Sequence, residues 1–232
     1  MKLPQLQTST YHRDYARAGV HTGGIDRRAT LYSTHLKRIV DIVLVIFALP
    51  IAVPVLLIFA VIVRLDGGPA LFGHVRIGRN GVPFQCWKLR SMVPDASNVL
   101  QRHLERDPMA RQEWEGAQKL QFDPRVTRIG GFLRRTSIDE LPQLWNVLTG
   151  EMSLVGPRPV TREELDRYHT HQRAYLACRP GLTGLWQVSG RNGVSYEDRI
   201  QMDAHYSRCF CLWFDMQIML RTVSVVLART GV

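Results

Sequence analysis

The chain has 232 residues, 45% of them apolar, and a formal net charge of +10. That is enough for one domain plus an attachment, with a true core, and it demands an anionic partner: nucleic acid, lipid headgroups or a phosphorylated substrate. Four cysteines, Cys86, Cys178, Cys209 and Cys211, make neither a C-x-x-C pair nor a zinc spacing, which excludes a disulfide scaffold or zinc module and leaves reduced core thiols in the cytosol.

Residues 1–34 lack apolar periodicity and read as a flexible tail, with no signal-peptide pattern. Ile42 to Val63 is 22 residues without a charge, long enough to cross a bilayer. Pro50 and Pro54, one turn apart, are expected to kink it. Lys37 and Arg38 precede it; Arg64, His74, Arg76 and Arg79 follow. Basic flanks on both sides hold both ends in the cytoplasm. A kinked helix over 35–65 that enters and leaves on one face satisfies both facts, and a proline-kinked true span is the alternative. Asp41 is expected to pair with Lys37 or Arg38.

Leu71 to Ile77 and Val82 to Leu89 flank Gly78-Arg79-Asn80-Gly81, a hairpin signal. Lys88 and Arg90 at its end are either solvated charges or phosphate contacts. Asp95 to Lys119 is a polar helix with a fresh start at Asp107-Pro108. A short strand is expected at Met152 to Val155, then a rigid loop at Gly156 to Pro159 presenting Arg158. Thr161 to Glu164 is a capping box that opens a helix to about Leu176. A strand is expected at Leu185 to Val188. The glycines beside Arg179 and Arg191 permit close backbone approach to a phosphate. Ser195 caps a helix to about Cys209, and Asp215 caps a last apolar helix to Arg229 that is buried or lies on the membrane. His169-x-His171 reads as a solvated face. No nucleotide fingerprint of the G-x-G-x-x-G or Walker type and no repeat occurs.

Chemistry concentrates in Ser137-Ile138-Asp139-Glu140-Leu141-Pro142, adjacent carboxylates just after Arg134 and Arg135. Ser137 to Glu140 fits a capping box, which needs no further function. Pro142 argues against it: a helix begun at Ser137 would put the proline at an interior position, where it lacks a needed N–H and clashes with the Ile138 carbonyl. A cap at Asp139 places Pro142 in the first turn. Asp139 would then sit at the helix mouth, kept ionised by the dipole, with Leu141, Leu144, Trp145 and Leu148 facing a core.

The ordered stretches Lys37-Arg38-Ile39-Val40-Asp41, Trp87 to Met92, Phe132 to Leu148, Ser153 to Pro159 and Arg179 to Arg191 resemble the bacterial sugar transferases. These are monotopic polyprenyl-phosphate phosphoglycosyl transferases, and the likeness is to the exopolysaccharide-initiating branch. It covers about residues 36 to 230. Gly73 and Gly131 depart from it where many relatives are basic, and the chain resembles the short form, without an N-terminal membrane bundle.

The resemblance implies a membrane helix broken at Pro54 or Pro50 and a catalytic domain over 66–232 on the cytoplasmic face of the inner membrane. It implies transfer of a sugar phosphate from a UDP-sugar to undecaprenyl phosphate, with release of UMP. Asp139 would be the nucleophile, and Glu140, beside Asp139, would hold Mg2+. Arg134, Arg158, Arg179, Lys88, Arg90, Gln187 and Arg191 would contact substrate and its phosphates. Implied partners are the two substrates and membrane lipids; a homo-oligomer is left open. The expected fold is α+β, a helix-rich membrane-associated globule with one small sheet made by the hairpin and the strands near 153 and 186. A non-catalytic assembly scaffold is the main competitor. A nucleic-acid-binding protein is disfavoured, since the basic residues are spread among loops and a membrane segment is present.

Overall fold

The computed structural model describes residues 32–117, 120–190 and 194–227. Most of the expected tail, and Arg191, lie outside them. A helix-rich body is built around two small sheets and one long apolar helix, α1 (Lys37–Arg64). Pro50 and Pro54 both lie inside α1, so the chain is not divided into two helices there.

The apolar run of α1 is buried along one stripe only. Val45, Leu49 and Ala52 pack on Leu144 and Val147, and Leu56, Phe59, Ala60 and Val63 pack on Leu89, Ile129 and Leu133. The opposite face is exposed, with Phe47 at 77% and Ile51 at 75%. Both ends are bonded to the same body. At the start, Lys37 pairs with Asp215 at 2.5 Å, Arg38 donates to the Val147 and Leu148 carbonyls, and Asp41 accepts from Leu154 N at 3.0 Å. The expected Asp41 ion pair is therefore replaced: Lys37 is drawn to the buried Asp215, and Asp41 satisfies a strand N–H. At the finish, Arg90 donates to the Val63 carbonyl at 3.0 Å and pairs with Asp66.

The hairpin forms as the Asn-Gly signal requires. β1 (Leu71–Ile77) pairs antiparallel with β2 (Pro83–Leu89), Leu71 opposite Leu89. Asn80 and Gly81 take positive φ in the turn. Asn146 lies on the outer edge of β2 as a substitute strand, accepting from Trp87 N at 3.1 Å and donating to Gln85 O at 2.7 Å.

α2 (Ala96–Arg106) and α3 (Pro108–Ala117) are joined at Asp107, whose Oδ1 accepts from Met109 N and Ala110 N. Then come α4 (Arg128–Thr136), α5 (Gln143–Thr149) and β3 (Ser153–Val155). The Thr161–Glu164 capping box opens α6 (Arg162–Asp166), but the helix ends early, and α7 (Gln172–Ala177) restarts after His169 at φ 42.

The second sheet corrects two expectations. β3 pairs in parallel with β4 (Gly181–Thr183), separate from the hairpin, while Leu185–Val188 is a short helix, α8. A four-residue apolar run fits either state. Two of the glycines here let backbone segments of the chain meet closely: a Cβ on Gly181 would stand 2.1 Å from Gly156 N. α9 (Tyr196–Cys209) is capped by Ser195, and α10 (Leu212–Leu227) starts ahead of Asp215. Asp215 is no surface cap: it is buried, accepting from Tyr32, Lys37 and Tyr206. α10 buries Ile218 and exposes Trp213, Leu220 and Val223.

Candidate active site

α4 ends at Ser137, which takes the left-handed conformation (φ 57) and returns its N–H to the Arg134 and Leu133 carbonyls. The chain then makes one 3-10 turn, Ile138–Glu140, before Pro142 opens α5. Neither Ser137 nor Asp139 acts as a side-chain cap, so both helix-cap readings give way to a tight turn between two helices. In that turn Asp139 points inward and is 7% exposed, beneath β2. Burial pushes its carboxyl from the ordinary 3.8 up to about 6, with Lys88 and Arg134 opposing the rise and Glu140 adding to it. The rise runs contrary to the expectation that Asp139 is kept ionised at a helix mouth. Of the four apolar residues expected in the core, Leu144 is buried, Leu141 and Leu148 are half-buried, and Trp145 is 62% exposed.

Two cations flank the carboxylates. Lys88, on β2, donates to Glu140 Oε1 at 2.6 Å. Arg134, at the end of α4, is half-buried and donates from Nε to Ser91 Oγ at 2.9 Å. It makes no other hydrogen bond among the described residues. Burial lowers its basicity, against the pull of Asp139 and Asp123. A half-buried guanidinium with its terminal N–H groups unpaired is costly unless an anion arrives. The four residues Lys88, Arg134, Asp139 and Glu140 therefore form one polar, charged cluster. The donor set of two adjacent carboxylates, with no histidine or thiol, suits a hard cation such as Mg2+ that takes its other ligands from phosphate oxygens and water.

A second group gathers at Trp186 on α8. Arg158 is exposed and lies 5.7 Å over the indole, and Arg199 of α9 lies 4.6 Å over it. Gln187 is adjacent, and its Oε1 is buried with no hydrogen-bond partner among the described residues. The charges of Arg158, Lys88 and Glu140 all act on the buried Cys86, so the two groups share a neighbourhood.

Two of the arginines have other work. Arg90 is buried and caps the end of α1 through Val63 O, Pro69 O and Asp66. Arg179 donates to Gly150 O at 2.8 Å, at the end of α5 away from the carboxylates, beside Arg38 on Val147 and Leu148. Cations at a helix C-terminus satisfy its last carbonyls. Both were expected near phosphate because sequence gives charge but not which carbonyl lies in reach. Sequence reading overlooked Ser91, Trp186 and Arg199 as site residues. Ser91 and Trp186 each had one signal, their places in the Trp87-to-Met92 and Arg179-to-Arg191 stretches.

The described core is matched by known proteins. The bacterial sugar transferase family description covers residues 32–229. An undecaprenyl-phosphate galactose phosphotransferase of Salmonella typhimurium is 52% identical over 199 residues, which is 86% of this chain and 42% of that protein. The exopolysaccharide production protein ExoY of Sinorhizobium fredii is 46% identical over 196 residues, 84% of this chain and 87% of that protein. A UDP-glucose:undecaprenyl-phosphate glucose-1-phosphate transferase of Caulobacter vibrioides is 42% identical, over 82% of this chain and 69% of that protein. The chain thus spans under half of the Salmonella relative and most of ExoY. With the family pattern running through α1, the Asp139–Glu140 turn and α10, the chain belongs to the bacterial sugar transferase family.

Proposed function

We propose that the protein transfers a sugar 1-phosphate from a UDP-sugar to undecaprenyl phosphate, as the first membrane step of a surface glycan. The observation that carries this is the buried Asp139 within electrostatic reach of Arg134, whose terminal N–H groups make no hydrogen bond among the described residues, in a chain similar to transferases of that name. An Asp139 carboxylate oxygen attacks the β-phosphorus of the donor. The bond from that phosphorus to the bridging oxygen breaks, UMP leaves, and a phosphosugar-aspartyl ester remains. An oxygen of the lipid phosphate then attacks the same phosphorus and releases Asp139 as a carboxylate. A carboxylate is a weak nucleophile, so it needs a good leaving group and neutralised phosphates. Lys88, Arg134 and Arg158 supply positive charge, with Gln187 as a further substrate contact. Glu140, with Asp139 beside it, would hold Mg2+, which when bound neutralises the diphosphate and assists departure of UMP.

The site belongs at the cytoplasmic face of the inner membrane. The outward face of α1 is apolar from Ile39 to Ile62, yet both ends are bonded to one globule. A spanning helix would carry them to opposite sides, so this anchorage supports a helix that returns on the side it entered, with α10 alongside it.

UMP release in lipid nanodiscs tests the reading, with a panel of UDP-sugars and Mg2+, with and without undecaprenyl phosphate. The expected result is a burst of one UMP per active site without lipid, turnover with it, and neither in Asp139→Asn. Folded protein that releases no UMP from any donor points instead to a non-catalytic scaffold.

A further inference from the structure

Ser91 plays no part in the chemistry above, yet the fold builds a seat for it. Beyond β2 the chain runs antiparallel to the segment that leads into α4. Val93 N donates to Arg125 O at 2.8 Å, Thr127 N donates to Ser91 O at 3.1 Å, and Met92 bridges Val126. This lays Ser91 against the first turn of α4. Only glycine permits the approach, because a Cβ on Gly130 would stand 1.9 Å from the Ser91 carbonyl oxygen. Arg134 is one turn further along the same helix face. It meets the Ser91 hydroxyl through Nε at 2.9 Å. Ser91 is buried, so water does not substitute for it there.

We infer that Ser91 is a positioning residue for the donor diphosphate, seated by Gly130 so that its hydroxyl holds Nε and fixes the plane of the Arg134 fork. A guanidinium gripped at Nε keeps both terminal amino groups for bidentate phosphate contact, in one orientation. Without the grip the long side chain spreads over several rotamers, and ordering it falls on substrate binding. The inference rests on the reading of Arg134 as a phosphate ligand.

A double-mutant cycle tests it on the full chain in nanodiscs. Ser91→Ala is expected to lower kcat/KM for the UDP-sugar about tenfold, the scale of one hydrogen bond to a charged group, with membrane association unchanged. In an Arg134→Lys background, which has no Nε to hold, the same change should cost less than about twofold, since the coupled term is then gone. Ser91→Thr should stay near wild type and Ser91→Val should not, the two being alike in shape and different in the hydroxyl. Equal losses for Ser91→Ala in both backgrounds, or equal behaviour of Ser91→Thr and Ser91→Val, would show a packing role and overturn the inference. Wild-type protein that releases no UMP removes the functional reading and this inference with it, a result distinct from an additive cycle.

Discussion

Asp139, the proposed nucleophile, carries a stability penalty. In the unfolded chain its carboxyl ionises near 3.8; in the fold it keeps its proton up to about 6. Between those values the unfolded state binds fewer protons, so stability falls as pH rises, and above about 6 the whole penalty stands. Two units correspond to roughly 2 to 3 kcal/mol. Asp139→Asn should therefore abolish the UMP burst while raising the unfolding midpoint at pH 7.5, and the gain should vanish below pH 4. Thermal melts of both proteins across that range decide it; a variant less stable at pH 7.5 would contradict a buried, reluctant carboxylate. In the free enzyme, kcat/KM for the donor should fall about tenfold per unit below pH 6 as the nucleophile is protonated. Glu140→Gln removes the partner of Lys88 as well as the proposed Mg2+ ligand, so turnover should be lost and added Mg2+ should not restore it. The carboxylate pair was legible in the sequence, and Pro142 correctly argued against the capping box. The turn itself was not, because Ser137 at positive φ is uncommon for a residue with a side chain, and only packing against β2 makes Asp139 face inward.

At the scale of elements, the features that held are those with local causes. The Asn-Gly hairpin, the Asp107 and Ser195 helix starts and the Thr161–Glu164 capping box each depend on a few neighbouring residues. Features that failed depend on distant partners. Leu185–Val188 is a helix, and the strand that pairs with β3 is Gly181–Thr183. Asp215 looked like a helix cap and proved to be the buried counter-charge of Lys37, with the ammonium about 6 Å from the ring centres of Tyr32, Tyr206 and Phe210. That cluster clamps the start of α1 to α9 and α10. Lys37→Met should cost about 3 to 5 kcal/mol, because it strands a buried carboxylate without its cation. Asp215→Asn should cost less, since the tyrosine hydroxyls still find an acceptor. Thermal unfolding in one detergent ranks the two; the reverse order would mean that the clamp is not electrostatic.

For the whole molecule, the sequence offered two routes for the apolar segment, a return to the same face or a kinked span, and placed the decision on Pro50 and Pro54. The structure adds a second determinant. Each proline removes one backbone hydrogen bond from α1 and favours a kink, but the helix continues through both. Its ends are held by side chains: Lys37 and Arg38 at the start, Arg90 at the finish. A helix of 28 residues is about 42 Å long, ample for a bilayer, so removing the prolines leaves a segment fully able to span once an end comes free. Bend and clamp should therefore act together. With an epitope tag on residue 1, the wild-type tag is expected on the same side as the catalytic domain. Pro50→Ala with Pro54→Ala should move a fraction of tags across the membrane, and adding Lys37→Met should raise that fraction. Protease protection in sealed inside-out vesicles measures it, with the globular domain as the internal control for orientation. A tag that stays wholly cytoplasmic in the triple variant would mean that neither the prolines nor the clamp sets the topology. The paired basic flanks of the segment would then be sufficient by themselves.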